Sequence, residues 1–256
     1  MNKLRPISEP SGFENQKGLY KGISIIIPML NEAENIQNLL QHLINNSNSK
    51  NISEIIVIDG GSTDNSQELA RNFINSNILH TKVKLLISSK GRAKQMNLGA
   101  KNASGDILYF LHADSFPPKN FDQLIINQVQ KSHLAGCFKM TFNSTHWWLQ
   151  LAGWLTQFSW RACRGGDQSQ FITKELFYEI GGFNEEFIIY EDNDLINKLY
   201  AKKQFTVIQE WLTTSDRLYK THGVWKLQYH FWIIYVKKWF GASAEELYSY
   251  YKKNLV

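Results

Sequence analysis

Between Ile23 and Leu111, short continuous apolar runs alternate with stretches in which apolar residues recur every three to four positions. The runs ISIII (23–27), EIIVI (54–58), VKLLI (83–87) and ILYFL (107–111) are rich in β-branched residues and lack a polar face, the pattern of strands buried on both sides. After the first run, NEAENIQNLLQHLI carries Ile36, Leu39, Leu40 and Leu43 at helical spacing. Further helices are expected after the capping cluster Ser62, Thr63 and Asp64, and from about Arg92. Strand, helix, strand in this order predicts an α/β fold with a mostly parallel central sheet flanked by helices. Ligands of such sheets bind outside the carboxyl ends of the strands, so the residues just after each run are the informative ones.

Those residues are PMLNEAE, DGGSTDNS, SSKGRAKQMNLGA and HADSFPP. Taken singly, Asn31, Ser62, Thr63 or Asp64 is explained as a helix cap. Polar clusters at four successive strand ends exceed what turns require. The second half predicts a strand at 134–142, an aromatic helix at 144–160 and a glycine-containing loop entering a further strand. A helix KELFYEIGGF stopped by Gly181 and Gly182, an acidic-headed helix EDNDLINKLYAKK and a short strand at 205–209 follow. The reading divides the chain into a tail (1–21), one α/β domain (22–215) and a helical, aromatic extension packed on it (216–256).

Composition narrows the classes. Of the residues, 43% are hydrophobic and 20% charged, as expected of a folded chain. No apolar run approaches the roughly 18 residues of a membrane span, and the polar start has no signal-peptide core, so a cytoplasmic location is expected. Two cysteines, Cys137 and Cys163, exclude a disulfide framework and are read as packing residues. Twenty-eight Lys and Arg against 23 Asp and Glu leave a formal charge of +5, which suits phosphorylated substrates, an anionic membrane or nucleic acid. With no basic arm, nucleic acid is not an expected partner.

In order, IIIPMLNEAENI, IIVIDGGSTDNS, GRAKQMNLGAKNASGDILYFLHADS, FITKELFYEIGGFNEEF and EDNDL resemble, from Ile23 to about Gly223, the motifs of the family 2 inverting glycosyltransferases of the GT-A fold. The wording IDGGSTD, GRAKQMN, LHAD and HGVW is similar to a bacterial subset of that family. The resemblance implies a Rossmann-like GT-A domain that moves a sugar, with inversion, from a nucleoside diphosphate sugar, expected to be a UDP-sugar, to an acceptor hydroxyl. It implies Asp192 of EDNDL as general base, with Glu191 beside it as a loop or acceptor residue. Asp114, the last position of the motif His112-Ala113-Asp114, becomes the ligand of Mn²⁺ or Mg²⁺, and His112 takes the ribose-contacting place. Pro28, Asn31 and Glu32 frame base and ribose; Arg92 and Gln95 lie beside base or phosphates; Asp167 and Gln168 face donor sugar and acceptor. Arg217 falls where relatives place a basic segment that closes on the diphosphate. Two positions depart from the family: His112 stands where its Asp-x-Asp motif has the first Asp, and the main departure is Gly60. Where the second strand usually ends in two aspartates, the second accepting from uracil N3, this chain has Asp59-Gly60, which leaves Asp59 to take the base and loosens uridine selectivity.

These residue types suit the chemistry. A departing diphosphate gains charge that a cation must hold, and a carboxylate can take the acceptor proton as the new bond forms. A sugar nucleotidyltransferase would want a glycine-rich basic loop where this chain has PMLNEAE. A non-catalytic protein binding membrane or nucleic acid would not place acidic residues at strand ends. The stretch 223–240, apolar around most of its helical circumference, has two readings. It packs on the domain or on a second subunit; or part of its face, with Lys238 and the Trp-rich stretch 147–160, rests in the lipid interface on the inner side of the membrane, near a lipid-linked acceptor.

Overall fold

The computed structural model describes residues 20–76, 81–165 and 168–255; the expected tail up to residue 19 and Asp167 lie outside them. Strand β1 (Ile23–Met29) is central, which explains why Ile23, Ile25, Ile26 and Ile27 are fully buried. It pairs in parallel with β2 (Ile52–Asp59) on one side and β4 (Ile107–Phe110) on the other, and β2 pairs in parallel with β3 (Val83–Ile87). Helices α1 (Ile36–Asn46), α2 (Ser66–Ser76) and α3 (Arg92–Asn102) make the crossovers. The four apolar residues that define α1 in the sequence are those it buries.

Beyond β4 the sheet changes character. β6 (Ala135–Phe142), β7 (Gln170–Thr173) and β8 (Phe205–Thr214) extend it, with the two-residue β5 (Ser115–Phe116) at the far edge, in the order β3-β2-β1-β4-β7-β6-β8-β5. β7 runs antiparallel to both neighbours, whereas β6 and β8 are parallel. Between β5 and β6 lies α4 (Phe121–Gln130), which the sequence reading leaves unassigned although Phe121, Ile125 and Val129 keep a four-residue spacing and are buried.

The aromatic helix is shorter than its stretch: α5 spans Trp147–Leu155. It stops because Thr156 is held by the sheet, its hydroxyl accepting from Met140 N at 2.8 Å. Gly153 lets the helix approach that strand; a Cβ there would lie 2.9 Å from the Met140 carbonyl oxygen. After a 3-10 turn (Arg161–Cys163), helices α6 (Lys174–Glu179) and α7 (Glu191–Ala201) flank β7 and β8. The extension forms α8 (Arg217–His222), α9 (Val224–Trp239) and α10 (Ala244–Leu255). Its Tyr219, Leu227 and Leu255 join the same core as the residues of β1 and α1.

Candidate active site

Pro28 opens the site. The run of isoleucines ends before this residue but the strand does not; β1 continues to Met29, because the sheet asks for no hydrogen at Pro28. Leu111 N donates to Ile26 O, so the edge of β1 carrying residues 26 and 28 faces β4, and β4 has ended by the level of Pro28. The two strands part there, and a cavity of about 510 Å³ lies at their carboxyl ends. Of the residues expected in a site, Pro28, Glu32, Arg92, Gln95, His112, Asp114 and Arg217 line it; Lys90, Tyr219 and Tyr251, which the sequence did not single out, line it too. His112 and Asp114 sit on the turn after β4, closed by Ser115 N donating to His112 O. Across the cavity, Arg217 Nη2 donates to Glu32 Oε1 at 2.7 Å. That bond pushes the Arg217 guanidinium further up from its usual value, and the Asp114 charge adds to it.

Arg92 ties this cavity to the acidic end of α7. Its Nε bonds Glu191, and its Nη2 lies 3.3 Å from Asp192. Glu191 is fully buried and Asp192 nearly so. Tyr190, just before them, has a left-handed backbone at φ +77°, a strained conformation for an aromatic residue that costs on the order of 1 kcal/mol. Asp192 does not line this cavity. It shares a narrow crevice with Pro28, His112, Gln168 and Gln170, and Pro28 and His112 line the crevice and the cavity alike.

Three expected residues are occupied in holding the walls. Asp59 is buried, and its carboxylate accepts from Gly61 N at 2.9 Å, from Ser62 N and Oγ, and from Gln67 Nε2 at 2.7 Å. Asn31, left-handed at φ +56°, latches the same turn by accepting from Thr63 N at 2.8 Å. Gln95 Nε2 donates to Met29 O at 2.8 Å and Ile58 O at 2.7 Å, bridging β1 and β2. The same amide accounts for Gly60: a Cβ on this residue would lie 2.9 Å from the Gln95 side chain.

A second cavity, of about 1110 Å³, lies between α5, the 3-10 turn, α7 and α9. Trp148, Arg161, Asn193, Phe231, Trp232 and Tyr235 are among its walls, and Arg92, Tyr219 and Tyr251 line both cavities. Gln168 reaches it as well as the crevice of Asp192. The aromatic walls belong to stretches whose composition stands out in the sequence; Arg161 and Asn193 carry no such signal. Burial pushes the nearby Cys137 thiol up to about 11 against the pull of Arg164, so this cysteine is a neutral packing residue.

The first cavity suits a divalent ion that is shared with a ligand. Asp114 offers a hard carboxylate oxygen and His112 a ring nitrogen. Among the described residues no three His, Cys, Asp or Glu side chains cluster closely enough to hold an ion unaided. Ligand oxygens and water would complete the shell.

The model of glycosyl transferase family 2 matches residues 24–184, more than half of the sequence, and the chain belongs to this family. A stretch of 97 residues is 37% identical to glycosyltransferase AglE of Haloferax volcanii, covering 37% of this chain and 31% of that protein. Another of 104 residues is 35% identical to the dolichol-phosphate mannosyltransferase of Pyrococcus furiosus, covering 40% and 29%. The matched stretches thus span about a third of these relatives' lengths. In structure, the chain is similar to the mannosyltransferase PcManGT of Pyrobaculum calidifontis in complex with GDP-Man and Mn²⁺ (TM-score 0.65, 16% identity, 92% of this chain and 68% of that one), which establishes the GT-A fold. Family membership weighs against the nucleotidyltransferase and the non-catalytic readings. The family match ends at residue 184, before Glu191, Asp192 and Arg217, so those residues rest on the site's geometry and on the motif order.

Proposed function

We propose that the protein is a nucleotide-sugar-dependent, inverting glycosyltransferase acting by a single displacement, with Asp192 as general base. The observation that carries this reading is the adjacency of Asp114 and His112 on the donor cavity to the Asp192 crevice, with Arg92 bonding the acidic pair and lining both cavities. The nucleoside diphosphate occupies the smaller cavity, where Asp114 and His112 would hold Mn²⁺ or Mg²⁺ and Arg217 and Lys90 face the phosphates. A bound divalent ion supplies positive charge against the diphosphate as it leaves. The acceptor hydroxyl approaches from the larger cavity and its proton passes to an Asp192 carboxylate oxygen. The new C–O bond forms at the anomeric carbon as the bond to the diphosphate breaks on the opposite face. Gln168, which reaches both the crevice and the larger cavity, orients the hydroxyls.

Base selection follows from Gln95. Both of its amide hydrogens go to main-chain carbonyls, so the group this lining residue has left for a ligand is its oxygen, an acceptor. An acceptor here favours a base with a ring N–H on the reading edge, uracil or guanine, over cytosine or adenine, and supports a UDP-sugar as donor. The aromatic walls of the larger cavity support an acceptor with an apolar, lipid-linked portion, in keeping with the dolichol-phosphate acceptor in the name of the Pyrococcus relative. A mass-spectrometric screen of UDP- and GDP-sugars with Mn²⁺ tests the reading. Release of a nucleoside diphosphate, abolished by EDTA, is the expected result; no release and no nucleotide binding with any donor would overturn it.

A further inference from the structure

Helices α5 and α9 each turn one apolar stripe inward and a second one outward. In α5, Leu149 and Gly153 are buried, while Trp147, Leu151 and Trp154, spaced i, i+4, i+7, are exposed. In α9, Leu227 and Ile234 are buried, while Trp225, Tyr229, Trp232, Val236 and Trp239 repeat that spacing over the whole helix and are exposed. Trp239 is 84% accessible and the adjoining Phe240 83%. A helix with one side on a core and the other in water carries mostly polar residues on the outer side; here Gln150 in α5 and Lys226 and Lys237 in α9 are exposed beside outward stripes that are otherwise apolar or aromatic. The outward stripes meet: the Trp225 ring centroid lies 5.8 Å from Trp147 and 5.4 Å from Trp148, which lies 6.1 Å from Trp232. Contiguous apolar patches of this kind mark interaction sites.

We propose that the α5–α9 face docks on the headgroup interface of an anionic lipid bilayer. Its composition fits that occupant, because Trp and Tyr with flanking Lys are the residues favoured at headgroup depth. So does its charge. The α9 helix carries Lys226, Lys237 and Lys238 and no Asp or Glu, and α5 carries no charged residue of either sign. A second copy presenting the same face would bring like charges together. The face is also continuous with the larger cavity, since Trp148, Trp232 and Trp239 line that cavity. Among the described residues no helix is long and apolar enough to cross a membrane, so the contact is made from one side. The surface rests on spacing, exposure and charge and does not depend on which reaction the site performs.

Flotation of the full chain tests it without any activity measurement. With phosphatidylcholine vesicles containing about 30% phosphatidylglycerol at low salt, the chain should float, and it should float far less with phosphatidylcholine alone. Trp225→Ser with Trp239→Ser should weaken partitioning about tenfold, and so should Lys237→Gln with Lys238→Gln. Trp239→Ser alone, at a side chain too exposed to support the fold, should show a smaller loss in the same direction. A wild-type chain that stays at the bottom of the gradient would overturn the proposal. So would partitioning that none of these variants changes, or a dimer that buries the tryptophans and does not float.

Discussion

Two groups of buried carboxylates sit at opposite ends of the same parallel strands, and they are held by opposite means. At the amino ends, Glu54 accepts from the hydroxyl of Ser24, from the amide and hydroxyl of Ser104 and from Lys84 Nζ at 2.9 Å. Burial alone would push its carboxyl up; these bonds overcome that and hold it at about 2. At the carboxyl ends, Glu191 and Asp192 share one guanidinium, that of Arg92, and Glu191 Oε2 has no hydrogen-bond partner among the described residues. A carboxylate whose partners all come from the fold serves stability. One that meets a cation which itself lines a cavity is placed for a ligand.

The comparison can be broken most decisively at Asp192. Asp192→Asn should lower transfer by about 10²- to 10⁴-fold, with nucleotide binding and melting temperature near wild type. A fall in melting temperature with normal turnover per folded molecule would put Asp192 in the same group as Glu54. Next is Asp114: replacement by Ala should weaken binding of a nucleoside diphosphate on the order of 10²-fold with Mn²⁺ present and hardly at all in EDTA, read by titration calorimetry. An equal loss in both conditions would make Asp114 structural.

Glu54→Gln should do the reverse. It should cost about 1–2 kcal/mol of folding stability at neutral pH and leave the activity of folded molecules unchanged. Because the folded-state value, about 2, lies below the ordinary 4.5, the ionised form stabilises the fold fully above pH 4.5, and that contribution is lost as pH falls towards 2. Denaturant unfolding followed from pH 6 to 3 should therefore show a flatter acid limb in the variant. The smallest effect concerns Gly60 and Gln95: UDP and GDP should compete within about tenfold, roughly 1.4 kcal/mol, with CDP and ADP weaker. A much larger preference for UDP would mean that another group reads the base.

The amino-terminal half was the more legible because strand and helix there are local patterns. Uninterrupted isoleucines and the spacing of Ile36, Leu39, Leu40 and Leu43 need no tertiary information to be read. The antiparallel placement of β7 and the capture of Thr156 by β6 depend on contacts distant in sequence, and no periodicity records them. At the site, motif order pointed to seven residues that line the donor cavity. It could not show that the Asp59 carboxylate is engaged by its own turn, or that Gln95 occupies the space beside Gly60, because both depend on hydrogen bonds closed only in the folded chain. Arg161 was illegible for a similar reason: it meets Asn193, the middle residue of EDNDL, only when α7 packs beside the 3-10 turn, where Arg161 Nη2 donates to Asn193 Oδ1 at 3.1 Å.

The donor cavity takes one wall from Pro28 in the first strand and another from Tyr251 in the tenth helix. On a ribosome these residues emerge many seconds apart, given synthesis at roughly 5–20 residues per second. The parallel strands can assemble while the later helices are still being made, but the pocket is not walled until α10 has left the exit tunnel. A nascent chain would thus hold a sheet long before it holds a complete cavity, and premature termination before α10 would yield a polypeptide with most of the core and that cavity open on one side.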